Sequence, residues 1–131
     1  MRITGHGLEA EFAFSSPDGE GWMRTTVEIR VPKFEGNFSC SVEKKEWSAF
    51  IQSLRALETS IGKDTESCWG NMEENIEFRF TLHKHGTLEV AYKFSPENFS
   101  LGPTLSGSFE ADQTFLRGWA IAAEQAVENA R

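Results

Sequence analysis

The chain has 131 residues, 39% of them hydrophobic and 25% charged, with eleven Phe and four Trp. That aromatic load excludes a disordered tail, and the length suits one domain over 1–131, burying roughly two-thirds of the surface the open chain exposes. Acidic residues outnumber basic ones twenty to thirteen, for a net charge of −7. This balance argues against nucleic acid and anionic membrane as partners, because both are held by Lys and Arg, while a basic protein surface suits it.

Met1 to His6 lacks the apolar stretch of a signal peptide, and no run approaches the ~20 apolar residues that span a bilayer, so a cytoplasmic protein is expected. Cys40 and Cys68 are too few for a disulfide framework or a four-thiolate zinc site and read as reduced thiols.

Period-two alternation dominates the chain and predicts antiparallel strands with one packed and one wet face. The first such run is Leu8, Ala10, Phe12 and Phe14, alternating with Glu9, Glu11 and Ala13. After a loop at Ser15–Gly21 come Val27, Ile29 and Val31, then Phe38, Cys40 and Val42. A helical stripe follows, with Trp47, Phe50, Ile51, Leu54 and Leu57 at i, i+3, i+4, i+7 and i+10 and Gly62 as its stop. Alternation returns at Ile76, Phe78, Phe80 and Leu82, passes a tight turn at His83-Lys84-His85-Gly86, and continues through Leu88, Val90, Tyr92 and Phe94. A longer connection leads to a short strand holding Leu105, Gly107 and Phe109. The last stripe, Phe115, Trp119, Ala122, Ala123 and Ala126, is a helix that Asp112 is placed to cap.

The expected fold is therefore α+β: one antiparallel sheet of six to seven strands with both helices packed on one face, in the order β-β-β-α-β-β-β-α. Residues 8–62 and 76–131 also resemble each other, with Leu8–Phe14 lining up with Ile76–Leu82 and Thr26–Ile29 with Thr87–Val90. An internal duplication produces such a match, and so does shared patterning without ancestry.

In this architecture the outward strand positions form a single polar plate. Glu9, Glu11, Glu28, Glu43, Glu77, Glu89 and Glu110 stand there against Arg30, Arg79 and Lys93. A rigid acidic plate suits capture of a basic protein surface, and a solvated sheet with cross-strand Glu–Arg pairs has the same composition. Glu9, Glu11, Glu28, Glu77, Glu89 and Glu110 are the first candidate contact residues. Trp69, Glu73 and Glu74, in what reads as a connecting segment, are the second, an exposed indole being a good anchor.

No catalytic signature emerges. His83 and His85 form an H-x-H pair without a third ligand in view, so no metal is expected. Cys68 has no visible base, Cys40 falls on the inward side of its strand, and Glu73, Glu74 and Glu77 are the kind of cluster a glutamate-rich chain produces by chance. There is no G-x-S-x-G, phosphate-cradling glycine loop or C-x-x-C. No cofactor is implied.

From Phe38 to the C-terminus the sequence resembles the small bacterial WapI-like immunity proteins, which are encoded beside polymorphic contact-dependent toxins. The residues that carry the resemblance are Trp69-Gly70-Asn71-Met72-Glu73-Glu74, the strand Ile76–Leu82, the turn His85-Gly86-Thr87-Leu88-Glu89-Val90, and Phe109-Glu110-Ala111-Asp112-Gln113-Thr114-Phe115-Leu116. The family's hairpin reads Gly-His where this chain has His85 before Gly86, so His85 takes no role from it. The resemblance implies a non-catalytic protein that binds a cognate toxin domain and silences it by occlusion. Two other readings compete. One is a ligand-binding or adaptor domain with an apolar pocket between sheet and helices, lined by Phe12, Phe80, Tyr92 and Trp119. The other is an enzyme built on Glu73, Glu74 and His83.

Overall fold

The computed structural model describes residues 1–130. Its strands are β1 (Arg2–Gly5), β2 (Leu8–Phe14), β3 (Trp22–Val31), β4 (Phe34–Glu43), β5 (Thr65–Gly70), β6 (Ile76–Leu82), β7 (Thr87–Phe94) and β8 (Leu105–Asp112). Helix α1 (Lys44–Thr59) follows β4, and α2 (Phe115–Glu128) follows β8. The fold is α+β and runs strands, helix, strands, helix, as expected. The single sheet is not what forms. Strands β1 to β4 make one four-stranded antiparallel sheet in sequential order, and β5 to β8 make another.

Two short strands that the alternation did not show complete these sheets. In β1 only Ile3 is buried, and in β5 only Trp69, so neither contains the two successive inward apolar residues that a period-two signal needs. β1 pairs back on β2 through the His6-Gly7 turn, where Gly7 has φ 87°. A two-residue turn of this kind needs positive φ, which glycine adopts without steric cost.

The apolar sides of the two sheets face each other. Phe12 of the first sheet lies 6.2 Å from Phe78 and 6.3 Å from Phe94 of the second. Along one margin β1 and β8 run close without forming a ladder, and a Cβ on Gly5 would overlap the Phe109 ring. Along the other margin α1 packs on β4 and β5, and α2 packs against α1 and reaches back to β1 and β2. The helices therefore bridge the two sheets, α1 through β4 and β5 and α2 through β1, β2 and the Trp119 contacts with Phe80 and Phe109, rather than covering one face of a single sheet.

Trp47 sits where these layers converge. It is fully buried, 4.6 Å from Phe14, 4.8 Å from Phe50 and 5.7 Å from Trp69, and its indole N–H donates to the Ala123 carbonyl at 2.9 Å. The α1 stripe buries Trp47, Phe50, Leu54 and Leu57, and Glu46 closes the N-terminus by accepting from the Glu43 N–H at 2.8 Å. In α2 the buried stripe is Leu116, Trp119, Ala120 and Ala123, while Phe115 is exposed. Asp112 accepts from the Thr114 N–H at 2.9 Å, which orders the turn entering α2 and holds its carboxyl below the usual carboxylate range.

Candidate functional site

Because the apolar sides of the sheets meet, the charged sides are turned away from each other, and the expected single plate is divided. Glu9, Glu11 and Glu28 stand exposed on the first sheet. Glu77, Glu89 and Glu110 stand on the second, Glu77 half-buried and the others exposed. Pairing of the strands dictates who their neighbours are. On the first sheet Arg2 reaches Glu11 at 3.2 Å, and Arg30 lies 3.6 Å from Glu9 and 3.5 Å from Glu35. On the second, Glu66 pairs with Arg79 at 3.4 Å, Glu77 with Lys93 at 3.7 Å and Glu89 with His83 at 3.3 Å.

Register also sets acid against acid. Glu28 is directly opposite Glu11, and Glu110 directly opposite Glu89. Like charges so placed destabilise a sheet, so each pair is a local cost that the fold itself does not require. Among the described residues neither Glu28 nor Glu110 has a basic side chain within ion-pair distance. Each pair lines a shallow hollow: one of about 510 Å³ bounded by Arg2, Glu9, Glu11, Glu28, Arg30 and Glu35, and one of about 810 Å³ bounded by His6, Glu66, Arg79, Glu89 and Glu110.

The second candidate, Trp69 with Glu73 and Glu74, changes character. Trp69 is not an exposed anchor. It points inward from β5, 4.7 Å from Phe50, and its indole N–H donates to the Glu46 carbonyl at 2.9 Å. What read as a connector is an edge strand, and an edge strand has an inner face. The Glu73 carbonyl accepts from the Phe99 N–H at 2.7 Å, and Glu74 is exposed at φ 61°.

The surrounding loop is organised by two buried asparagines that sequence reasoning passed over. The Asn71 side-chain oxygen accepts from the Asn75 and Ile76 N–H groups at 2.8 and 2.9 Å. Asn75 in turn donates to the Ser95 carbonyl at 3.0 Å and the Asn98 side chain at 3.2 Å. Glu46 joins from α1, accepting from the Met72 N–H at 2.6 Å. Asparagines at both ends of a five-residue loop were the available signal, since Asn side chains take over backbone bonds in turns.

Phe12, Phe80, Tyr92 and Trp119 do not line a pocket between sheet and helices; all four are buried in the continuous core. An apolar groove of about 450 Å³ does occur elsewhere, between the β3–β4 hairpin and the β7–β8 connection, lined by Ile29, Phe34, Gly36, Phe38, Phe94, Pro96, Pro103 and Leu105. Glu73 and Glu74 are likewise not brought to His83. They precede β6 and His83 follows it, so the whole strand separates them, roughly 20 Å at ~3.3 Å per residue. His83 and His85 stack at 5.5 Å, and among the described residues no group of three potential metal ligands forms. Among the same residues no helix is long and apolar enough to cross a membrane.

The model of the immunity protein WapI-like family matches residues 2–130. The chain belongs to that family. The match takes in the first sheet as well as the region from Phe38 onward, so kinship with the WapI-like proteins extends to both halves. No curated protein matches the sequence. Among solved structures, the crystal structure of a protein of unknown function from Prochlorococcus sp. NATL2A is similar over 95% of this chain and 97% of that one, at 10% identity and a TM-score of 0.37. That likeness is too distant to bear on the fold or role of this WapI-like protein.

Proposed function

We propose that this chain binds a cognate protein toxin domain and silences it by covering its working surface, with no chemistry of its own. The observation that carries this reading is the WapI-like immunity family match over residues 2–130. The surface is in keeping with it. Acidic side chains are held on stiff strands, and two Glu–Glu oppositions would each be relieved by a lysine or arginine arriving from a partner. The partner's surface is accordingly basic, and the acidic strand faces are the docking region.

Coexpression with the toxin domain encoded beside its gene should restore growth, and the purified pair should form a complex of fixed stoichiometry. Replacing Glu9, Glu11, Glu28 and Glu77 together by Gln should slow association about tenfold or more at low salt, while the thermal midpoint stays within a few degrees. An unchanged association rate would remove the acidic faces from the contact. Failure of the native chain to bind or protect would remove the immunity reading itself.

A further inference from the structure

The apolar groove is continuous with only one of the two acidic faces. Ile29, Glu35, Gly36 and Asn37 line both the groove and the first sheet's hollow, so the β3–β4 hairpin has carboxylates on one side and an apolar trench on the other. Gly36 is the unexpected residue here. A glycine inside a strand weakens it, and it is kept where something must approach the backbone closely. Its position opposite Ile29, whose side chain is buried, puts it on the inward side of β4. Yet a Cβ built on Gly36 meets no atom of this chain within 4 Å. The fold does not need a glycine at this position. What its absent side chain leaves is room in the groove.

The two segments that supply the groove's lining, the β3–β4 hairpin and the β7–β8 connection, also hold backbone at a cost. Lys33, at the hairpin tip, has φ 70°, and Phe99 and Ser100, in the β7–β8 connection, have φ 59° and 58°. These are left-handed conformations that non-glycine residues seldom adopt and that cluster at functional sites. Beside Lys33 a large apolar side chain of the lining is left in solvent: Phe34 is 68% exposed. The one charged side chain lining the groove is acidic, Glu35.

We propose that the toxin domain docks around the β3–β4 hairpin, seating an aromatic or aliphatic side chain in the groove beside Gly36 and laying flanking lysines or arginines over Glu11 and Glu28. This rests on the immunity reading and narrows it to the first sheet. An apolar anchor in a pocket with a charged surround is the arrangement that concentrates binding energy in an interface.

The test uses the full chain and the purified toxin domain encoded beside it, with affinity and rates measured by surface plasmon resonance. Gly36→Trp should fill the groove and bind at least 100-fold more weakly, chiefly through faster dissociation, while its thermal midpoint does not fall. Phe34→Ser, at an exposed position, guards against a folding defect and should bind at least tenfold more weakly. Glu11→Gln with Glu28→Gln should slow association, and Glu89→Gln with Glu110→Gln should not. Native-like binding by folded Gly36→Trp and Phe34→Ser would overturn the proposal while leaving the immunity reading intact, as would sensitivity confined to the second-sheet pair. A native chain that fails to bind the toxin domain sinks both. If sedimentation shows a self-associated chain that Gly36→Trp renders monomeric, a second copy occupies the groove and the proposal is wrong.

Discussion

Cys40 and Cys68 share a functional group and almost nothing else. Cys40 is buried on the inner side of β4, and its thiol is pushed up to about 12, first by burial and then by the nearby Glu73 and Glu46 carboxylates. Cys68 is exposed on the outer side of β5. In the native chain at pH 8 a thiol reagent should therefore modify one cysteine quickly and the second only after denaturant is added, which a timed thiol count will check. Linkage gives the pH dependence. A thiol whose folded value lies above the ordinary 9.0 contributes fully to stability below that value, and the contribution declines as pH rises from there toward about 12. Urea midpoints at successive alkaline pH values should fall for the native chain and less steeply for Cys40→Ala. The inward placement of Cys40 was legible from the parity of Phe38, Cys40 and Val42, but the two carboxylates beside it come from α1 and from the β5–β6 loop, whose approach no local pattern encodes.

At the scale of elements, the most demanding joint is the loop Asn71–Asn75. It ties β5, β6 and the β7–β8 connection through side-chain amides that are 4% and 0% exposed. Asn71→Ala leaves two buried N–H groups without their acceptor and should cost about 2–4 kcal/mol in urea unfolding, because an unsatisfied buried donor loses its full solvation. Asn71→Asp keeps the acceptor and should lose clearly less. The same element explains why Trp69 misled. Six residues with one inward apolar side chain resemble a connector in sequence, and only pairing with β6 makes them a strand. The hairpin at His83–Gly86 was legible for the opposite reason. Its turn chemistry is local, with Gly86 at φ 106° and its N–H donating to the His83 carbonyl at 2.9 Å.

At the scale of the whole molecule the two sheets depend on each other. Phe12 needs Phe78 and Phe94 to be buried, and Trp47 needs Ala123 for its indole N–H. Arg55 of α1 bonds Glu124 of α2 at 2.7 Å, though so exposed a pair adds little to stability. A fragment ending at residue 62 should accordingly show no cooperative thermal transition by circular dichroism, since its core-facing rings would be left in water. The charged outer faces obey different physics. Their ion pairs are solvent-exposed and contribute little to folding, so changes there should register in partner association rather than in melting.

Alternation and helical stripes in the sequence alone were enough to establish the α+β class, both helices and the strands with several inward apolar residues, while particular motifs from Phe38 onward carried the family resemblance. A strand's period of two states which side chains share a face, and that information is complete within the strand. It does not state which edges pair. The same inward residues are satisfied by one wide sheet under two helices or by two sheets facing each other, because burial is non-directional and asks only for apolar neighbours. Tertiary structure decided between them, and with that choice it divided the acidic plate, buried Trp69 and opened the groove beside Gly36.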